Sequence, residues 1–119
     1  MHISIDKARP NATLMFMSKS SLAAKSIPIA ASNTLKILGE NLRIARKRRK
    51  RSLRAWSKQI DASVPTIRRM EKGDPTVGMG VYVTAMFLTD GLKDLSKVSS
   101  PDLDTYALNL DILEAVKRR

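Results

Sequence analysis

Hydrophobic positions recur at helical spacing along this chain from Thr34 onward. Between Ser52 and Gly73 (SLRAWSKQIDASVPTIRRMEKG) they divide into two short helical segments about a tight bend. Trp56 and Ile60 lie four apart and share a face of the first segment. Ile67 and Met70 lie three apart and turn inward on the second, leaving Thr66, Arg68, Arg69 and Lys72 for the outside. Ser52 stands where its hydroxyl can accept from the unpaired N–H groups of a helix starting at Leu53, and Ser63 repeats that arrangement for the next helix. Pro65 falls in that helix's first turn, where a missing N–H is harmless. The chain must bend at Asp61-Ala62, and aspartate tolerates left-handed dihedrals better than most residues. Gly73 takes the position after the second helix and Pro75 follows. Helices this short do not persist alone in water, so they require a surrounding helical core.

The flanking pattern supplies one. Residues 34–50 read as a helix capped by Thr34, with Leu35, Leu38, Leu42 and Ala45 forming its apolar stripe. Beyond Gly73, residues 76–80 lead into a fourth helix with Val81, Ala85 and Leu88 on one face, widened by Tyr82 and Met86 and ending at Asp90-Gly91. Leu92, Leu95 and Val98 give a short fifth helix. Ser100 and Pro101 then open a last helix, in which Leu103, Tyr106, Ala107, Leu110, Leu113 and Val116 recur at helical spacing. Its apolar stripe suits docking of a second copy or a partner protein, and packing onto its own domain would use the same residues. Residues 1–33 show no sustained period. The Ser, Ala and Lys content of 18–33, with Pro28, predicts a flexible tail, and Met15 or Met17 could serve as the translation start. The expected class is all-α: a compact five-helix domain over 34–98, an amphipathic helical tail over 99–119 and a disordered tail over 1–33.

Charge sharpens the picture. The formal net charge is +11, but residues 34–75 carry thirteen basic and four acidic residues, +9, against +3 for 1–33 and −1 for 76–119. Such concentration on the paired short helices is the footprint of a polyanion-binding surface. The run from Arg43 to Arg51 is nearly all cationic. Helix C-termini favour one or two cations, not this many. A solvated end or a nuclear-localisation patch would use the same residues, but adjacency to the paired helices favours phosphate contact, with Arg48, Arg49 and Arg51 as candidates. The chain has no cysteine, which excludes disulfides and thiolate zinc sites, and its one histidine, His2, cannot assemble a metal cluster. No apolar run approaches the roughly 20 residues of a membrane span. No catalytic triad, glycine-rich phosphate loop or carboxylate pair at a recognisable spacing is present, so neither an enzyme nor a cofactor is expected.

The pattern Leu38-Gly39-x-x-Leu42-x-x-x-Arg46 followed by Ser52 to Gly73 resembles the lambda-repressor-like (Xre-type) helix-turn-helix family. The continuation from Arg69 through Gly73-Asp74-Pro75-Thr76 to Tyr82 resembles HipB-type antitoxins, partners of HipA-like serine/threonine kinase toxins. The resemblance spans roughly residues 35–98. It implies that Val64, Pro65, Thr66, Arg68 and Arg69 form the major-groove face of a recognition helix, that Ser52, Ser63 and Lys72 meet phosphates, and that Arg46 and Glu71 form a buried ion pair. The sequence departs from the family at Leu53, often a DNA-contacting glutamine, and at Asp61, usually glycine.

An arginine fork fits guanine O6 and N7. Arg68 and Arg69 point about 100° apart, so one reads a base and the other reaches phosphate, and the family's contacts favour Arg69 for the base. Val64 and Pro65 suit a thymine methyl. One such helix covers few base pairs, so the expected binder is a homodimer on an inverted-repeat operator with half-sites ~34 Å apart, or a multiple of that. The expected function is a bacterial cytoplasmic repressor, nucleoid-associated when bound to DNA, acting as antitoxin in an autoregulated operon with a HipA-like kinase. The alternatives are a stand-alone Xre-type repressor, phage or housekeeping, and a non-specific nucleic-acid condenser using the run from Arg46 to Arg51.

Overall fold

A computed structural model describes residues 22–118. All regular structure among them is helical: α1 (Ile29–Arg48), α2 (Leu53–Ile60), α3 (Val64–Glu71), α4 (Met79–Leu88), α5 (Leu92–Leu95), a 3-10 turn (Pro101–Leu103) and α6 (Thr105–Lys117). Residues 22–25 are helical as well. No helix among the described residues is long and apolar enough to cross a membrane.

The two short helices form where their caps place them. Ser52 Oγ accepts from the Ala55 N–H at 3.0 Å, and Ser63 Oγ accepts from the Thr66 N–H at 3.3 Å. Asp61 ends α2 in the left-handed region, at φ 59° and ψ 48°, so the absence of a glycine there does not prevent the bend. Gly73 ends α3 at φ +75°; its N–H donates to Met70 O and the Asp74 N–H to Arg69 O, the paired bonds of a Schellman motif.

Elsewhere the element boundaries differ from the periodicity. α1 begins at Ile29, not at Thr34: Pro28 precedes it, and Thr34 lies inside it with its hydroxyl donating to Ala30 O. Residues 29–33, assigned to the tail, are therefore its first turn, whereas residues 1–21 of that tail, with His2, Met15 and Met17, lie outside the described residues. α1 stops at Arg48, short of residue 50, because Lys50 turns left-handed (φ 57°) and the Arg51 N–H closes on Arg46 O. α5 is a single turn, and Val98, expected on its inner face, is exposed. Ser100 and Pro101 open only the 3-10 turn; α6 starts later, with Asp104 Oδ1 accepting from the Ala107 N–H at 3.1 Å.

The core gathers around α3, which packs against α1, α2 and α4. Trp56, Ile67 and Met70 are its largest fully buried side chains, joined by Leu42, Ile60, Val77, Tyr82, Ala85 and Met86. The inward stripe of α4 is thus centred on Tyr82, Ala85 and Met86, with Val81 and Leu88 at its half-buried margin. Two glycines set the approach of α1 to the end of α3. A Cβ on Gly39 would meet Met70 O at 2.6 Å, and one on Gly73 would strike the backbone of Lys36. Residues with side chains would hold these backbones apart, so the cationic face of α1 is brought beside α3 by glycine.

Candidate nucleic-acid interface

The inner side of α3 is fully occupied by Ile67 and Met70, so its remaining side chains point outward. Pro65, Arg68, Arg69 and Lys72 are exposed, while Val64 and Thr66 are half-buried. Ser63 Oγ lies 2.8 Å from Thr66 Oγ1, joining the two hydroxyls at the helix start. Ser52 is exposed at the start of α2, its hydroxyl proton left for an outside acceptor once the oxygen has capped Ala55.

The two arginines of α3 have different surroundings. Arg68 and Lys72 line an open groove whose other wall is α1, through Lys36, Glu40, Arg43 and Lys47, with Leu53, Arg46 and Glu71 completing the lining. Glu40 is bound by Arg43 in a two-bond pair, at 2.7 and 2.9 Å, which holds its carboxyl below the usual range. Glu71 is bound by Arg46. Among the described residues, the charges along the groove without an ion-pair partner are Lys36, Lys47, Arg68 and Lys72, all positive. Such a groove attracts a phosphate backbone.

Arg69 turns the other way. Its Nε donates to Asp74 Oδ2 at 3.0 Å and its Nη2 to Thr76 Oγ1 at 2.5 Å. The Asp74 carboxyl is held below its ordinary range first by the Thr76 hydroxyl, at 2.6 Å, then by the Thr76 N–H, at 2.8 Å, with Arg69 adding to both. The Tyr82 hydroxyl donates to Asp74 O at 2.7 Å, which ties this turn to the core. Burial pushes the Tyr82 phenol up to about 12. Arg69 is therefore gripped along the edge formed by Nε and Nη2, and the outer edge, Nη1 with Nη2, stays open to a ligand.

Beneath both faces lies the pair of Arg46 and Glu71. Nε meets Oε2 at 2.7 Å and Nη2 meets Oε1 at 3.1 Å, with both side chains buried. The third nitrogen, Nη1, donates to Arg51 O at 2.9 Å and so fixes the turn between α1 and α2. No buried side-chain nitrogen or oxygen among the described residues lacks a partner.

The basic run is less uniform than its composition. Arg48 and Arg51 are exposed. Arg49 donates back to Ala45 O at 3.2 Å and leans on Asp90 at 3.5 Å, on a surface where such a pair is weak. Reading the sequence as a run of cations took in Arg43 and Lys47 but not their alignment with Lys36 along the groove. Their signal was spacing: with Glu40 they fall at i, i+4, i+7 and i+11, one stripe of α1. It also missed the grip of Asp74 and Thr76 on Arg69, which depends on the chain reversing after Gly73.

No family model matches the chain, and comparisons with curated proteins and with solved structures likewise find no match.

Proposed function

We propose that the chain is a sequence-specific DNA-binding repressor of the lambda-repressor-like (Xre-type) class, with α2 and α3 as its helix-turn-helix and α3 entering the major groove. The observation that carries this reading is the two-sidedness of α3: Ile67 and Met70 buried on one flank, Pro65, Arg68, Arg69 and Lys72 exposed on the other. In this reading Arg69 reads a base through its open edge, Val64, Pro65 and Thr66 meet base edges, and Arg68 faces the backbone from the basic groove. Ser52, Ser63, Lys72, Arg48 and Arg51 neutralise or hydrogen-bond phosphates, and Arg49 joins them once released from Asp90. The site needs no metal or cofactor for this work, and a two-fold homodimer on an inverted repeat gives it useful specificity. A bacterial cytoplasmic setting, at the nucleoid, follows from that role.

The test is selection of operators from a random duplex pool, followed by titration of the winner against scrambled DNA. The expected preference is on the order of 10³-fold or more. Equal binding to every duplex with a steep salt slope would replace this reading with non-specific condensation through the basic run.

The finer proposal is that the repressor is also an antitoxin that holds a HipA-like serine/threonine kinase and represses their shared operon. It is supported by the resemblance of the segment from Arg69 to Tyr82. Co-purification with the product of a neighbouring kinase gene is the expected result. A locus encoding no such kinase leaves a stand-alone repressor.

A further inference from the structure

α6 exposes most of its apolar side chains. Its one substantial neighbour among the described elements is the 3-10 turn that precedes it. Tyr106, Leu110 and Leu113 are 74%, 48% and 58% exposed. Their spacing of four and three is the a/d spacing that lets one helix lie along another. Leu108, Ile112 and Val116, also exposed, form a second row on a different flank. A helix of this length and polarity is stable in water only when a neighbour covers its seam.

Charge identifies that neighbour. Asp104 caps the amino end, with Asp102 in the turn before it, and the carboxyl end carries Lys117 and Arg118 beside Glu114. Among the described residues, Arg118 has only an exposed partner, Glu114, at 3.8 Å. Two copies laid parallel would set like charges side by side. Laid antiparallel and crossing at Leu110, they set Asp104, the N-cap of one copy, close to Lys117 of the other, six and seven residues from the crossing. The distribution of net charge acts in the same direction. The +9 of residues 34–75 makes two copies repel at their basic faces, whereas residues 76–119 hold only −1.

We propose that α6 is the seam of an antiparallel homodimer centred on Leu110, with Tyr106 of each copy packed toward Leu113 of the other. This rests on, and deepens, the two-fold reading under Proposed function, since it supplies the axis an inverted repeat requires. The contact forms without DNA and is tested without it.

Sedimentation of the full chain is expected to give a dimer. Leu110→Asp, at an exposed position that the domain core does not use, is expected to weaken dimerisation at least tenfold with the helical circular-dichroism signal of the domain retained. Ile112→Asp, off the seam, is expected to leave the dimer intact. The absence of cysteine permits a second measurement. Under mild oxidant, Leu110→Cys is expected to form a disulfide dimer. Tyr106→Cys is not, because its two copies lie about 12 Å apart along the pair, at 1.5 Å per residue, beyond disulfide reach. A monomeric wild-type chain, a dimer indifferent to Leu110→Asp, or equal cross-linking at both positions overturns the proposal. Titration of the Leu110→Asp variant on a single half-site separates the two readings: retained half-site selectivity means that the groove contacts stand whatever becomes of the seam.

Discussion

Asp74 holds Arg69 by one edge of its guanidinium: Nε meets Oδ2 at 3.0 Å, while Thr76, itself bonded to the other Asp74 oxygen, takes Nη2. The aspartate thus fixes the arginine's direction at the expense of adding a negative charge near the surface proposed to face phosphates. Removing each partner should therefore have distinct effects. Arg69→Ala is expected to lose about 1–3 kcal/mol of discrimination at one base pair. Asp74→Ala keeps the reader but frees it, so the operator-to-mismatch ratio should fall by less while affinity for all DNA rises. Parallel titrations of operator and single-mismatch duplexes at fixed salt check this. An unchanged ratio in Asp74→Ala would mean that the grip does not orient the reader.

The buried pair of Arg46 and Glu71 is expected to matter to stability far more than any surface pair of this chain. Glu71→Ala leaves the guanidinium buried without its countercharge and should cost on the order of 3–5 kcal/mol in denaturant unfolding. Replacing both by apolar residues of similar size should recover most of that loss. Recovery should be incomplete, because Arg51 O also loses its donor, worth about 1 kcal/mol. A double variant as unstable as the single one would show that packing, not charge, was disrupted.

How far the sequence was legible follows from the range over which each interaction acts. Ser52, Ser63 and Gly73 could be placed because a cap bonds to backbone within a few residues, and the cap acts wherever the helix goes. The inward sets, Trp56 with Ile60 and Ile67 with Met70, were legible because burial follows helical period. Thr34 misled because a threonine inside a helix can bond back to Ala30 O, and nothing in residues 29–33 opposes helix. Asp104 was passed over for Ser100 because the intervening 3-10 turn shifts the phase of the last helix. The basic groove was legible only as charge concentration and a stripe of spacing on α1, not as a groove. It exists only because Gly39 and Gly73 allow α1 and α3 to meet, and that contact joins residues more than thirty positions apart in sequence.

Tyr82 makes stability depend on alkaline pH. Its folded-state phenol titrates at about 12, above the ordinary value of about 10, because burial disfavours the charged form. The folded state therefore keeps a proton that the unfolded state releases first. The contribution is fully present below about pH 10 and is lost as pH rises from there through about 12, by on the order of 2 kcal/mol. Tyr82→Phe should flatten that window relative to the wild type, while losing about 1 kcal/mol at neutral pH with the bond to Asp74 O. Fluorescence of Trp56, the single and fully buried tryptophan, is the natural probe. Parallel curves for the two proteins between pH 10 and 12 would remove Tyr82 as the cause.

Two glycine-to-alanine substitutions should act with opposite sign. Both glycines lie within helices, where alanine is favoured over glycine by up to about 1 kcal/mol. At Gly80, near the start of α4, a Cβ would meet nothing within 4 Å, so Gly80→Ala should stabilise by a few tenths to about 1 kcal/mol. At Gly39 the Cβ would meet three backbone atoms of the α3 terminus, Met70 O, Gly73 N and Glu71 O, at 2.6–2.8 Å. Backbone cannot swing aside as a side-chain tip can, so α1 must move off α3. That separation strains the Arg46–Glu71 pair and widens the basic groove together. Gly39→Ala should therefore cost about 1–3 kcal/mol despite the gain in helix propensity. It should also weaken operator binding, since Lys36 and Lys47 would no longer stand beside Arg68 and Lys72. Urea midpoints of the two variants, read with operator titrations at a temperature where both are folded, decide the matter. If Gly39→Ala proved as stable as Gly80→Ala, the close crossing of α1 and α3 would not be what assembles this face.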